Sequence, residues 1–450
     1  MTVEKRGIPT APIFTERFPD LAYATALNGG MPFLRNTYIH HPVSNATPEE
    51  ARKYMAENDP ISKKPIIQEI IDALTKPLTA DESKTGTLET PRDRLLPADT
   101  EDTLKEFFYL KGWTDGLPII LPTEARVAAM LKGTSHKADE AVGKMAPSPA
   151  QGAWSYNVER VAANAVMAGA TPEMFPAILA LASTAQPAMP SSTTSMVRWV
   201  VFNGPIRNTL KMNMGIGAMG PYGNQACAVI GRTWQFMTRN LGGSSPGTTY
   251  MGTLGNNYNY TTPMFGENEE ALPAGWNPYS VDAGFKSTDD VLTVFTGWSF
   301  LNFGAYKTDP YHVLMAKMVN ATCEYSGTGG HFTPDISIHS VVSVIVDPVA
   351  AKVLKETEKF DSKKQLGEYI WKNSFFTIWN YFQALPSNLK KAKEGIEPYA
   401  SYLKLDPGAM SPEPVLTKAA TIVVTGGGTN PYWTMIDGGP ARSVNIGLWK

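Results

Sequence analysis

The chain has 450 residues, of which 43% are hydrophobic and 18% charged, enough for two or three packed units with large apolar cores. Its 40 Lys and Arg residues balance 42 Asp and Glu residues, which excludes a general attraction to nucleic acid or to an anionic membrane. The sequence has neither the apolar core of a signal peptide nor a run near the roughly 18 apolar residues of a membrane span, so we expect a cytoplasmic protein.

Residues 1–75 are predicted to form a small α/β unit. The run GIPTAPIFTERF predicts a strand, and LAYATALNGG predicts a helix that ends at Gly29. A second strand leads to His41, and Thr47 is the predicted cap of the helix that follows. His41 is a candidate catalytic residue because active-site residues of α/β folds gather at strand ends; an exposed histidine without a role is the alternative.

Residues 76–103 are polar, with Pro, Ser and Thr throughout, and predict a linker. A central unit rich in helices and loops is predicted over residues 104–330. It opens with a helix, a tight Asp-Gly turn, a short apolar strand in LPIILP and a second helix entered through Thr123. Residues 156–185 predict two packed helices separated by Gly169.

Loops rich in Asn, Gly, Tyr and Met dominate residues 198–300, and loops of this length inside a compact domain favour a binding pocket. Over residues 331–450, strands such as SVVSVIVDP and ATIVVTGGG alternate with helices such as VAAKVLKETEKF, which predicts a C-terminal α/β unit. The expected fold class is therefore α/β, with mixed or parallel sheets, flanking helices and many loops.

The stretch NMGIGAMGPYGNQACAVIGR contains glycines in the G-x-G-x-x-G spacing of dinucleotide-binding loops. Such a loop requires a strand directly before it and an acidic residue about twenty positions later. The flanking sequences TLKMNM and RNLGGSSPG supply neither. The glycines instead favour a crowded turn into a helix that runs from about Asn224 to Arg239.

Cys227 lies at the start of this helix and is one of two cysteines in the chain. Its spacing with Ile230 and Trp234 predicts a small core residue on a buried helical stripe. A catalytic nucleophile is the alternative, because a helix N-terminus lowers the pKa of a thiol.

Two carboxylates are candidates for proton transfer. Glu267 stands in an acidic cluster beside Phe265, where partial burial would separate the pKa values of neighbouring carboxylates; a solvated acidic turn is the alternative. Asp115 in WTDGLP is the second candidate. It also fits a turn residue whose side chain accepts a backbone N–H and has no further role.

Two predicted strands, RWVVF and TIVVT, run into loops whose N–H groups suit a carboxylate or a phosphate, and an arginine would complete such a site as a bidentate clamp. A tight turn is the alternative for either loop. The candidate substrate-binding residues are Asn203, Gly204, Arg232, Asn268, Gly426, Gly427, Gly428 and Arg442.

His331, Asp335 and His339 recur at steps of four, the spacing that aligns metal ligands on a helix. Pro334 and the β-branched residues after it disfavour a helix there. His331 and His339 are therefore the weaker candidate site, for a divalent metal.

Several motifs taken together resemble known families. WTDGLPIILPTEARVAAML, VAANAVMAGATPEMFPAILA, FNGPIR, GNQACAVIGR, NLGGSSPG and GENEEALP resemble a family of largely uncharacterised bacterial proteins with a T-D-G-L-P opening. The amino-terminal GIPTAPIFTERF through IHHPVSNATPEEA resembles the tail of the UGSC-type selenoprotein-related family. That family is named for a Sec-Gly-Ser-Cys or Cys-Gly-Ser-Cys motif and is similar to the substrate subunits of the glycine and proline reductases. The resemblance covers residues 7–75 and about 105–450.

The resemblance implies that a thiolate or selenolate cleaves or reduces a carbon–heteroatom bond in a small organic acid, while Glu267 or Asp115 handles protons. A UGSC-type chain carries its motif before the GIPT stretch, where this sequence has six residues and no cysteine. DPVAAKVL also stands where the resemblance implies a histidine-containing turn. We therefore expect a small partner chain with a Cys or Sec motif, in a homo- or hetero-oligomer; thiol-independent chemistry is the alternative.

Two further function classes compete with this expectation. A metal-dependent hydrolase or lyase would use His331 or His41 with carboxylates, a divalent metal and a bound water. A non-catalytic, substrate-presenting subunit would use the long aromatic and Met-rich loops as an interface with another chain.

Overall fold

The fold class is α/β, as predicted, with helices flanking mixed sheets. The computed structural model describes residues 3–43, 46–86, 93–145, 155–190, 195–244, 246–247, 250–252, 254–256, 258, 262–297, 300–304, 308–325 and 341–450. Within these ranges, every helix is too short or too polar to cross a membrane.

The strands of the described residues form two small pairs and two four-stranded sheets. In chain order they are β1 (Ile13–Thr15), β2 (Thr37–Ile39), β3 (Ala141–Lys144), β4 (Ser155–Asn157), β5 (Val197–Asn203), β6 (Met264–Gly266), β7 (Val291–Gly297), β8 (Phe300–Gly304), β9 (Val342–Val346), β10 (Thr421–Val424), β11 (Tyr432–Asp437) and β12 (Pro440–Asn445).

The described residues also form α-helices, most of which connect one strand to the next along the chain. In chain order they are α1 (Pro19–Asn28), α2 (Pro48–Ala56), α3 (Ile66–Thr75), α4 (Glu101–Leu110), α5 (Glu124–Leu131), α6 (Val158–Ala168), α7 (Phe175–Ser183), α8 (Ile206–Thr209), α9 (Gln225–Asn240), α10 (Tyr279–Asp282), α11 (Tyr311–Tyr325), α12 (Pro348–Glu356), α13 (Lys363–Lys372), α14 (Ile378–Ala384), α15 (Pro386–Lys393) and α16 (Tyr399–Tyr402).

The amino-terminal unit has the predicted order of strand, helix, strand and helix. β1 and β2 pair in parallel, with α1 between them in the chain. Gly29 caps the end of α1. Thr47 caps α2, since its side-chain oxygen accepts the N–H of Glu50. The Glu50 carboxylate in turn accepts the N–H of Thr47.

The predicted strand in LPIILP is wrong. Residues 117–122 form neither strand nor helix between α4 and α5. Pro118 and Pro122 have no N–H group, and the backbone of Ile120 donates a long hydrogen bond of 3.3 Å to Met167 O. The neighbouring predictions are confirmed, since Thr123 caps α5 and Gly169, at φ 84°, ends α6.

The two four-stranded sheets share one plan. The first sheet has the order β12-β7-β5-β6, in which β5 is parallel to β6 and antiparallel to β7. The second sheet has the order β10-β9-β11-β8, in which β9 is parallel to β10 and antiparallel to β11. We refer to β5–β8 as the first half and to β9–β12 as the second half.

Each half gives its fourth strand to the sheet of the other half. β8 pairs with β11 in the second sheet, and β12 pairs with β7 in the first sheet. A boundary at residue 330 therefore does not separate two independent sheets, because each sheet contains strands from both sides of it.

The sheets are buried on both faces, which explains their continuous apolar runs. Val200 and Phe202 of β5 pack beneath α6, α7 and α9, whereas Trp199 and Val201 face the second sheet and meet its Ile345. The outer face of the second sheet packs against α11–α15. The result is four layers in the order helix, sheet, sheet, helix.

Candidate functional site

The carboxyl ends of β5, β6 and β10 meet where the two sheets touch. Glu267 follows β6 and donates its backbone N–H to Phe202 O of β5 at 3.0 Å, and Asn268 donates its backbone N–H to Val424 O of β10 at 2.8 Å. The chain after β6 therefore joins the two sheets. The strand-end cluster gathered there consists of Asn203, Arg207, Glu267, Glu269, Glu270 and Lys363.

Glu267 is the centre of the strand-end cluster and is fully buried. Its Oε2 accepts hydrogen bonds from Asn203 Nδ2 at 2.7 Å and from the N–H of Tyr279 at 2.6 Å. Its Oε1 accepts from the ammonium of Lys363 and from the N–H of Val424 at 3.1 Å. Each oxygen thus has two donors, which fills its lone pairs. The geometry favours an anchoring role for Glu267 over the expected proton transfer, because both carboxylate oxygens are engaged by protein donors from different segments of the chain.

Lys363 is the first residue of α13, and its side chain is 3% exposed. A positive charge in the first turn of a helix opposes the helix dipole, and burial adds a desolvation cost. The ion pair with Glu267 offsets both costs. The second half therefore supplies the cation that neutralises a carboxylate of the first half.

Arg207 in α8 is the second buried cation of the strand-end cluster. Its Nη2 lies 2.9 Å from Glu269 Oε2, and its Nη1 lies 3.0 Å from Glu270 Oε2. It also donates to the backbone oxygens of Gly204 at 2.9 Å and Glu267 at 2.5 Å. The Arg207 guanidinium lowers the pKa of the Glu270 carboxyl. The donors of Arg207 are therefore directed to protein groups rather than to a ligand.

Asn203 and Gly204, both predicted, lie within the same hydrogen-bond network. Asn203 Nδ2 and the N–H of Gly204 both donate to Glu269 Oε1, at 2.9 and 2.8 Å. Gly204 has φ 84°, and a Cβ there would lie 2.1 Å from Asp289 O, so this position requires glycine. Asn203 Oδ1 is buried and accepts no hydrogen bond from the described protein.

Two glycine loops touch beside the cluster, and we call residues 213–217 and 425–428 the glycine junction. The N–H of Gly426 donates to Met214 O at 3.0 Å, and Asn268 Nδ2 bridges Met214 O and Gly426 O at 3.2 and 3.1 Å. A Cβ at Gly427 would lie 3.2 Å from the backbone N of Ile216. The N–H groups of Gly427 and Gly428 bond to no described protein group. The predicted Asn268 and Gly426–Gly428 thus lie beside Glu267.

Asp115 and Arg232 form a separate ion pair, in which Arg232 Nε and Nη2 each lie 2.8 Å from a carboxylate oxygen of Asp115. Burial raises the pKa of Asp115, but Arg232 outweighs this effect and holds the pKa below its ordinary value. Asp115 also accepts the N–H of Leu117 at 3.1 Å, the turn contact given above as the alternative. Arg232 is therefore occupied by Asp115 rather than placed beside the glycine junction.

The core-residue prediction for Cys227 is confirmed. Cys227 is 2% exposed on α9, and the Ile230 and Trp234 side chains of the same stripe are fully buried. Burial raises the pKa of the Cys227 thiol to about 12, so the thiol stays protonated at neutral pH. Burial of the thiol therefore disfavours the nucleophile alternative for Cys227.

The other candidate residues lie apart from the strand-end cluster. The His41 ring contacts Thr15 Oγ1 at 3.1 Å and the Phe18 ring in the amino-terminal unit. Arg442 on β12 donates to Thr184 O at 3.2 Å. His331 and His339 lie outside the described residues, and no group of three metal-ligating side chains occurs within those that are described.

The sequence analysis missed Arg207 and Lys363 as members of the cluster. FNGPIR places Arg207 just four residues after Asn203, so a strand-end signal was present. Lys363 had no such signal, because it is 96 residues from Glu267 and begins a helix whose pattern suggests only surface lysines.

Comparison with known proteins identifies one part of the chain. Residues 1–74 match the model of the UGSC family, which confirms the resemblance of the amino-terminal unit. No curated protein matches the chain. The T-D-G-L-P family resemblance of the remainder stays a prediction.

Proposed function

We propose that this chain binds the substrate in an enzyme that cleaves or reduces a carbon–heteroatom bond of a small organic acid. In this enzyme a thiolate or selenolate on a partner chain attacks the substrate carbon, so that a carbon–sulfur or carbon–selenium bond forms while the carbon–heteroatom bond breaks and the heteroatom leaves with its electron pair. The similarity of residues 1–74 to the UGSC family is the observation that carries the proposal.

The cysteine content supports a nucleophile from another chain. Residues 1–74 contain no cysteine. Cys227 is buried and its thiol pKa is raised to about 12, so it supplies no thiolate at neutral pH. Among the described side chains, Cys227 therefore gives no ready nucleophile, which favours a sulfur or selenium atom from a partner chain.

The glycine junction suits the carboxylate of such a substrate. The N–H groups of Gly427 and Gly428 have no described protein partner and lie beside Asn268 and the strand-end cluster. Backbone N–H groups in turns with left-handed residues form concave anion sites, and Gly426 has φ 89°. In this proposal Glu267 anchors the junction, because its carboxylate holds Val424 and Asn203 in place.

A non-catalytic, substrate-presenting subunit is the second candidate. It is favoured because both predicted proton carriers are occupied, Glu267 by four donors and Asp115 by Arg232. The partner chain would then supply the proton carrier as well as the nucleophile.

Native mass spectrometry of the untagged protein, purified from its own cells, tests the proposal. We expect a co-purifying small chain with a Cys or Sec motif. A homo-oligomer that carries the extra mass of a metal would overturn the proposal and favour a metal-dependent hydrolase or lyase. With the complex in hand, Asp115→Asn and Glu267→Gln together separate the two candidates: lost turnover with unchanged substrate binding in either variant assigns proton transfer to this chain, and unchanged turnover in both variants assigns it to the partner.

A further inference from the structure

Arg198 lies at the amino end of β5, at the opposite end of that strand from Asn203. Its guanidinium donates a hydrogen bond to Pro187 O at 2.8 Å. Its Nε is buried and has no acceptor in the described protein. No described carboxylate forms an ion pair with it, in contrast to Arg207 and Arg232.

A guanidinium has five N–H donors, and leaving them unbonded while removing the charge from water is costly. Burial lowers the pKa of Arg198 to about 10, which reflects this uncompensated desolvation. Its hydrogen bond to Pro187 O offsets a small part of the cost. The arrangement is the one expected of a cation whose partner is a ligand.

The surrounding sequence is also free of negative charge. Residues 174–266 contain no Asp and no Glu. The basic residues of the same stretch are Arg198, Arg207, Lys211, Arg232 and Arg239. Arg207 and Arg232 pair with carboxylates from outside this stretch, whereas Arg198 forms no such pair with the described residues.

Two more polar side chains lie on the same sheet face as Arg198. Thr296 of β7 is its direct partner in the antiparallel register, and directly paired residues share a face. Arg442 of β12 pairs with Val294, two residues from Thr296 on β7. Arg198 and Arg442 both donate to carbonyls that follow the end of α7, at Pro187 and Thr184, so they point to the same side.

We propose that Arg198 is the centre of a second anion site, which binds a small oxyanion, either a carboxylate or a phosphate. Arg198 supplies its unbonded N–H groups, and Thr296 and Arg442 line the same sheet face. The site lies at the opposite end of β5 from the glycine junction, so it stands independently of the function proposed above. A structural alternative is that Arg198 serves only to hold Pro187.

Arg198→Met distinguishes a ligand site from this structural role. If the cation is unpartnered, its removal leaves the unfolding midpoint in urea unchanged or higher without added anion. If Arg198 only supports Pro187, the same change lowers the midpoint. Arg126→Met is the matched control, because Arg126 is exposed and also donates to one carbonyl, Leu121 O at 3.1 Å.

The ligand test measures the thermal midpoint of the full chain against sodium acetate and, separately, inorganic phosphate, with chloride holding the ionic strength constant. We expect at least one probe to stabilise wild type and Arg126→Met more than Arg198→Met, because an anion bound at the glycine junction would stabilise all three proteins equally. The probe whose effect is reduced by Arg198→Met identifies the ligand as carboxylate or phosphate.

Arg198→Lys is a second variant that keeps the test valid if Arg198→Met does not fold. It keeps the positive charge but has fewer N–H donors. It is expected to bind the same probe about tenfold more weakly. The proposal is overturned if wild type responds to neither probe, if either Arg198 variant binds like wild type, or if Arg198→Met lowers the urea midpoint.

Discussion

The two halves of the sandwich have the same strand order but close their strand ends with different chemistry. In the first half, β5 and β6 run into the strand-end cluster, with Arg207 and Glu267 buried. In the second half, Asp347 after β9 accepts the N–H of Val349 at 2.6 Å and that of Tyr432, and uncharged Thr425 follows β10. The topology therefore does not require buried ion pairs at these positions.

This difference indicates what the cluster contributes. Buried ion pairs gain little over apolar packing, because desolvation cancels most of their attraction. They do hold groups in fixed directions, and here Glu267 bonds to both sheets through Asn203 and Val424. We infer that the cluster fixes the glycine junction in position, whereas at the corresponding strand end of the second half the Asp347 carboxylate is held by backbone N–H groups.

The largest test of the comparison is to interrupt the strand exchange. Removing residues 438–450 deletes β12, leaves β7 without its edge partner and removes the buried Ile446 from the core of the first sheet. We expect the loss to exceed the roughly 5–15 kcal/mol stability of a typical domain, and the cooperative urea transition to disappear. Circular dichroism follows the transition. Lys450→Ala, which removes only the ion pair with Asp290, is the control and keeps the transition.

A retained single transition in the truncated chain would show that the first half does not need its exchanged strand. Loss of structure in the first half with a normal second half would likewise contradict interdependence of the two sheets. Hydrogen exchange of β9 and β10 amides reports on the second half.

The second test breaks the ion pair between the halves. Lys363→Met leaves the Glu267 carboxylate buried without its cation, and we expect a loss of about 3–5 kcal/mol in urea unfolding. The double variant Lys363→Met/Glu267→Gln removes both charges and should recover at least half of that loss. Lys352→Met on α12 is the control, because its pair with Glu356 is exposed and is expected to contribute less than about 0.5 kcal/mol. Equal losses for Lys363→Met and Lys352→Met would show that the cluster does not depend on its buried cation.

The elements of the fold were largely readable from the sequence because their signals are local. Apolar runs marked β5, β9 and β10, and the Thr caps and glycines marked helix ends. The strand predicted from the apolar run LPIILP was wrong because its two prolines lack the N–H donors that a strand requires. The strand exchange had no local signal, because the short connection from β7 to β8 has the length of a hairpin turn.

Several residues of the candidate site were predicted individually, but their proximity to one another was not. Asn203, Glu267 and Gly426 were each chosen as strand-end or loop residues, and the structure brings them together. Their proximity depends on the contact between two sheets, which no spacing in the sequence records. Arg232 was assigned to the same site because its positive charge suits an anion, but its side chain pairs with Asp115 at another place.

The smallest test concerns Asp347, the second-half counterpart of Asn203. Asp347→Ala removes the acceptor that caps α12, and we expect a loss of about 1 kcal/mol at neutral pH. Burial raises the pKa of Asp347, so the native protein binds this proton more readily than the unfolded chain. Its titration therefore contributes stability that is complete below the unfolded pKa of about 3.9 and is lost as the pH rises through the higher native pKa. Asp347→Asn keeps the acceptor without the charge, so relative to wild type it should gain stability as the pH rises from below the unfolded pKa of about 3.9 towards neutrality. Urea midpoints of the two variants across this pH range measure both effects, and an Asn variant as unstable as the Ala variant would show that the cap depends on the charge.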